Sequence, residues 1–260
     1  MRHRIRSFDP ARSLGAGALA LAVLVAACSS PVVPTSPTPS TAAGAPTPEP
    51  APTPDPVPTP VVAPATARYR VTFDSTWSTA THPVEFPAAN AHYSAMIGGT
   101  HNGSVAFWRS GSTASEGIKA MAERGATIPL SEEIAAAIAA GAAERTFGPG
   151  RNLGTPGTDS LEFEISQSFP LVTLVSMIAP SPDWFVGVAG LALFENGQWT
   201  AERRVSLVPW DAGSDSGVTY TSPDLVTAPL QPITPILTAP LSPGGVVTAL
   251  GTFTFVRLGT

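Results

Sequence analysis

The sequence predicts an all-β fold, an antiparallel β-sandwich with one or two short helical insertions. Three observations predict it. Short apolar runs recur from Arg68 onward, Gly, Pro, Asp and Ser punctuate them, and Leu161-Glu162-Phe163-Glu164-Ile165 alternates with the period of two that marks a half-buried strand. Many short strands separated by turn residues are the pattern of a sandwich or barrel.

The chain opens with Met1-Arg-His-Arg-Ile-Arg, an apolar stretch from Leu14 to Ala27, and then Cys28. A basic head and a short apolar core ending in small residues describe an export signal over residues 1–27. The run is shorter than the roughly 18 residues that a spanning helix needs. Val25-Ala26-Ala27-Cys28 has the form of a lipobox, with Cys28 as the lipidated residue, which predicts attachment to a membrane outside the cytoplasm. Cys28 is the only cysteine, so the chain has no internal disulfide. Loss of residues 1–27 removes four arginines and one aspartate and leaves 10 basic against 18 acidic residues, a net charge of −8. That charge excludes the basic electrostatics on which nucleic-acid binding depends. Residues 29–67 hold 13 prolines in 39 positions and only two charged residues, Glu49 and Asp55. Such a segment buries too little apolar surface to fold and reads, with Cys28, as a Pro-rich stalk over residues 28–67 reaching at most about 100 Å.

Residues 68–260 read as the folded domain. Tyr69, Val71 and Phe73 alternate as its first strand, and further strands are expected at Ser94–Ile97, Val105–Trp108, Leu161–Ile165, Leu171–Ile178, Val186–Phe194, Val205–Val208, Val218–Tyr220 and Phe253–Val256. Two helices interrupt them. Ser115–Arg124 places Ile118, Met121 and Ala122 on one side, and Ser131 is expected to cap Glu132–Ala140, with Gly141 as the stop.

Two acidic turns end strands. Pro180-Ser-Pro-Asp183-Trp184 has prolines that fix its approach, and Trp210-Asp211-Ala-Gly-Ser-Asp215-Ser-Gly217 supplies the glycines and aspartates of tight loops. If the 161–165 strand lies beside these turns, Glu164, Asp183, Asp211 and Asp215 bring four carboxylates to one end of a sheet. Such a concentration is unfavourable unless protons or a cation neutralise it. Ca²⁺, which takes six to eight oxygens in irregular geometry, suits carboxylates, loop carbonyls and water. Aspartate before glycine or alanine is also ordinary turn chemistry, and the spacing alone leaves both readings open.

The stretch Leu171–Val188, the loop Pro209–Gly217 and Thr221-Ser222-Pro223 resemble the spondin domain. Tyr69-Arg-Val-Thr-Phe-Asp-Ser-Thr-Trp77, Thr81-His-Pro83, Phe86-Pro87, Ala91-His-Tyr-Ser94 and Ala114-Ser-Glu-Gly117 agree with it in the same order. The resemblance covers about Arg68 to Thr234. It implies a C2-like sandwich in a family of secreted adhesion and matrix-binding proteins, with a Ca²⁺ site on Glu164, Asp183, Asp211 and Asp215. Glu162 is the rival to Glu164, and Asp211 contributes either its carboxylate or its carbonyl. Where animal members carry a cysteine this chain has Phe194.

The expected function is non-catalytic: a lipid-anchored, periplasmic or cell-surface module that binds a protein, glycan or surface polymer with Ca²⁺ as its cofactor. The alternatives are an exported hydrolase using the acidic pocket or His82, His92 and His101, and a purely structural envelope lipoprotein. No His-x-x-x-His pair lies on an expected helix, and Gly213–Gly217 has Asp where a nucleophile elbow has Ser. Trp184 and Trp210, each beside an expected ligand, read as wedges for the acidic loops.

Overall fold

The computed structural model describes residues 63–259. The expected signal segment, Cys28 and nearly all of the expected stalk lie outside the described residues. In chain order the first elements are β1 (Thr66–Ser75), β2 (His92–Tyr93), β3 (Ile97–His101), α1 (Glu116–Arg124), α2 (Leu130–Ala139), β4 (Ala143–Phe147), β5 (Leu153–Gly154) and β6 (Gly157–Ser166). There follow β7 (Leu171–Ala179), β8 (Trp184–Ala192), β9 (Phe194–Glu195), β10 (Gln198–Trp199), β11 (Glu202–Leu207), β12 (Trp210–Asp211), β13 (Thr234–Pro235) and β14 (Gly251–Arg257).

The strands form two packed antiparallel sheets. The first has the order β11-β14-β1-β6, with Val71 opposite both Phe255 and Leu161. The second runs β13-β12-β8-β7, and the far edge of β7 is shared by β3, which continues to β4, and by β2, which continues to β5. Tyr69, Val71, Phe73, Phe163, Ile165, Phe253 and Phe255 face inward from the first sheet. They meet Val172, Leu174, Ile178, Trp184, Val186 and Val188 of the second in one core. A small β9–β10 hairpin closes one side.

The second sheet is buried on both faces, which explains why β7 is almost continuously apolar while β1 alternates. Its outer face, through Val175, Met177, Ala179 and Phe185, packs on Ile118, Met121, Leu130 and Ile134 of the helices. Phe107 and Trp108, expected on a strand, lie instead in a loop and fill this second core, Trp108 standing 5.0 Å from Phe185 edge to face. Val218–Tyr220 is likewise loop rather than strand, and β4 arises where no strand was expected.

The helices begin differently from expectation. Ser115 caps α1 through its Oγ, which accepts the Ile118 N–H. Pro129, not Ser131, stands at the N-cap of α2, with no side-chain cap there. Glu133 of α2 turns instead to α1, where its carboxylate accepts the Gly117 N–H at 2.7 Å and the Ser115 hydroxyl at 2.7 Å. One glutamate thereby satisfies an orphan donor of the neighbouring helix and fixes the two helices together.

The domain starts slightly before Arg68. β1 begins at Thr66, Trp199 donates its indole N–H to the Pro64 carbonyl at 2.7 Å, and the Gln167 amide reaches the Ala63 and Pro64 carbonyls. Ala63–Thr66 therefore enters at the end of the sandwich that holds Gln167 and Trp199. β1 then runs about 30 Å to the opposite end, where Ser75 meets Gly157 and the Thr76 N–H bonds the Leu250 carbonyl. β2 pairs with Ile178 and Ala179 at that far end, and the turn holding Asp183 follows at once.

Candidate metal centre

Strand pairing brings three of the four expected ligands together. β12 lies antiparallel to the start of β8, with Asp211 opposite Trp184 and Trp210 opposite Phe185, and the Ala212 N–H bonds the Asp183 carbonyl at 3.1 Å. Asp211 is therefore delivered beside Asp183, and the following loop folds back over it. Asp183 Oδ2 accepts the backbone N–H of Ser214 at 2.7 Å, that of Asp215 at 3.0 Å, and the Ser214 hydroxyl at 3.2 Å. The other oxygen, Oδ1, is buried and has no hydrogen-bond partner.

Asp211 and Asp215 also do turn work. Asp211 Oδ1 accepts the Gly213 N–H at 2.7 Å, an Asx turn, and Gly213 takes φ +72° so close to the Gln231 carbonyl that no Cβ would fit. Asp215 Oδ1 accepts the Gly217 N–H at 2.7 Å and Oδ2 the Leu225 N–H at 2.8 Å. Of the two readings that the sequence left open, the turn chemistry is directly visible. Turn chemistry accounts for Asp215 and for one oxygen of Asp211, but it leaves half of the fully buried Asp183 carboxylate unexplained.

The electrostatics show the cost of the arrangement. Burial, and then the neighbouring Asp211 carboxylate, push the Asp183 carboxyl up to about 6 against the pull of its three donors. Burial raises Asp211 as well, with Asp215 adding to the effect. A buried carboxylate oxygen without a partner is a costly feature that a cation would relieve.

Glu164 does not join this cluster. It stands on the outward face of β6 in the first sheet, its side chain 52% exposed, and pairs with Arg145 at 3.0 Å. Glu162, the rival, is held by Arg68 at 2.8 Å and Arg70 at 2.6 Å, and these arginines keep its carboxyl below the usual range, Arg70 most of all. Period-two alternation correctly turned both glutamates to one face, but that face looks onto the arginines of β1 and β4.

Among the described residues, no three His, Cys, Asp or Glu side chains converge as a ready metal cage. The fit to a divalent cation is therefore partial. Asp183 Oδ1 and the Asp211 carboxylate are suited to it, and loop carbonyls and water would complete a Ca²⁺ shell.

The other expected residues are structural. Trp184 faces the main core, 5.4 Å from Tyr220, whereas Trp210 faces the helical side and packs 5.2 Å from Trp108. They wedge the two acidic turns from opposite faces of the sheet. The histidines stay apart. His82 meets Thr81 Oγ1 and the Thr248 carbonyl, His92 the Asn90 carbonyl, and His101 the Asn102 carbonyl and Thr173 Oγ1.

Sequence reasoning passed over two serines. Ser214 supplies two of the three donors to Asp183. Ser181 Oγ accepts the Trp184 N–H and donates to the Ile178 carbonyl, closing the turn around Asp183. The signal available for Ser181 is its position three residues before Trp184, the spacing of a Ser/Thr turn.

Residues 67–244 match the Spondin_N family. The chain belongs to the spondin N-terminal domain family. It is 37% identical to spondin-1 of Homo sapiens over 209 residues, which cover 75% of this chain and 26% of that protein. With spondin-1 of Gallus gallus it shares 38% over 188 residues, 70% of this chain and 23% of the other. Spondin-2 of Homo sapiens is 38% identical over 178 residues, 67% of this chain and 54% of that protein. The chain thus matches about a quarter of the spondin-1 relatives and about half of spondin-2. Among the described residues no helix is long and apolar enough to cross a membrane.

Proposed function

We propose that this spondin domain is an extracytoplasmic, non-catalytic binding or adhesion module whose acidic end holds Ca²⁺. The observation that carries the metal reading is the buried, unpartnered Oδ1 of Asp183, lying in a fold that also delivers Asp211 and Asp215. Asp183 and Asp211 hold the ion in this reading, Asp215 shapes the loop that closes over them, and Glu164 takes no part. The bound ion supplies positive charge that lets the buried carboxylates remain ionised together.

The export signal and lipobox support a location outside the cytoplasm, with Cys28 acylated and the Pro-rich segment carrying the domain away from the membrane. Family membership supports binding or adhesion to a protein, glycan or surface polymer as the activity. The acidic balance, a net charge of −5 for the full chain and −8 without residues 1–27, argues against nucleic acid as a partner.

Terbium reports on this site directly, because it replaces Ca²⁺ on oxygen ligands and Trp184 adjoins Asp183. Excitation of tryptophan is expected to give Tb³⁺ luminescence that Ca²⁺ displaces and that Asp183→Asn abolishes. Luminescence no stronger than in Asp183→Asn would refute the site. For the anchor, Cys28→Ser is expected to move the protein from the membrane fraction to the soluble fraction of exporting cells, and unchanged fractionation would remove lipidation from the account.

A further inference from the structure

We infer that the cation site controls the order of the loop spanning residues 213–227, through a relay of two aspartates; this rests on the Ca²⁺ reading above. The relay is visible bond by bond. Asp183 divides its carboxylate, Oδ2 to the Ser214 and Asp215 N–H groups and Oδ1 to no protein partner. Asp215, positioned by that contact, uses both of its oxygens to clasp the loop further on, at the N–H of Gly217 (2.7 Å) and of Leu225 (2.8 Å). The two arms of the loop then join through Ser216 N–H to the Leu225 carbonyl at 2.8 Å and Thr227 N–H to the Ser214 carbonyl at 3.0 Å.

Elsewhere the loop is braced at a few points: Tyr220 enters the main core against Trp77 and Trp184, the Ser216 and Thr227 hydroxyls meet at 2.7 Å, and Ser222 Oγ accepts the Val218 and Thr219 N–H groups. Val218, Leu225 and Val226 are 72%, 50% and 75% exposed, so around Gly217 and Leu225 the two clasps of Asp215 act with little apolar burial beside them. The loop's geometry depends on charge-assisted bonds to two carboxylates, Asp183 and Asp215, each of which repels Asp211. A cation on Asp183 Oδ1 removes that repulsion and fixes the carboxylate plane, which fixes where Oδ2 meets Ser214 and Asp215. Ser214 is a positioning residue in this scheme, since its N–H and hydroxyl orient Asp183 from the loop side. The consequence reaches the surface: the ion sets the placement of three exposed apolar side chains about the tip of the loop.

Hydrogen exchange on the full-length protein, in EGTA and in excess Ca²⁺, tests the relay, with calorimetry on the same samples. An open loop cannot hold the ion, so at about 100 times the dissociation constant Ca²⁺ is expected to slow exchange of the Ser214, Asp215, Gly217 and Leu225 amides by up to roughly a hundredfold. Amides at the middle of β1 serve as the reference and are expected not to respond. Asp183→Asn keeps an oxygen acceptor for the loop and loses the ligand charge. Its four amides are expected to exchange at the same rate in EGTA and in excess Ca²⁺. Calorimetric binding with unchanged exchange at these amides would overturn the relay and leave the Ca²⁺ site standing. A full exchange response in Asp183→Asn would also overturn it, and absence of binding would overturn both.

Discussion

Asp183 is the residue at which folding and charge conflict. Its raised carboxyl carries a defined pH signature in the cation-free protein. The folded value of about 6 exceeds an unfolded value near 3.8, so between these pH values the folded state holds the proton more tightly. Stability attributable to this group is therefore gained as pH falls from 6 to 4 and is lost as pH rises through that window, levelling above it. The full swing is of order 3 kcal/mol. Denaturant melts in EGTA at pH 4 to 7 are expected to show wild type gaining on Asp183→Asn by that order toward the acid end. Parallel curves for the two proteins would contradict the burial of an ionisable, unpartnered carboxylate. His82 and His101, whose burial lowers their affinity for protons, act in the opposite sense below pH 6.5. Their effect is common to both proteins and cancels in the difference.

At the scale of elements, the approach of strands and helices depends on small residues and shared caps. A Cβ on Gly187 of β8 would lie 2.5 Å from the Leu174 carbonyl and 2.8 Å from Val175 Cγ1 on β7, so Gly187→Ala is expected to cost about 1–3 kcal/mol by overpacking. Glu133→Ala removes the acceptor that α2 lends to Gly117 and Ser115 of α1, and a loss of about 1–2 kcal/mol is expected in urea denaturation. No loss would mean that solvent caps α1 equally well. Alternation in 69–73 and 161–165 and the apolar run from Leu171 were legible because periodicity reports which faces are buried. Ala143–Phe147 was not legible, since its strand character comes from pairing with β3 and its polar Glu144–Thr146 stretch carries no apolar pattern. Val105–Trp108 misled for the converse reason: apolar residues filling a core from a loop look locally like a strand. The acidic turns were legible through their Pro, Asp and Gly chemistry, whereas Glu164 was misplaced because its facing strand, with Arg145, could not be known before the fold.

Across the whole molecule, the chain enters the sandwich at one end and the acidic loops cap the other, roughly 30 Å away along β1. That polarity puts the candidate metal centre at the end of the domain opposite Ala63. The central claim is that Asp183 gathers a Ca²⁺ ion rather than merely bracing a turn. Calorimetric titration of Ca²⁺ into the demetallated protein, beside Asp183→Asn and Glu164→Gln, tests it most directly. The account predicts one saturable site that Asp183→Asn weakens by a factor of ten or more, taking about 1.4 kcal/mol per decade, and that Glu164→Gln leaves unchanged. Absence of binding in a folded protein, or loss of binding in Glu164→Gln alone, would contradict it.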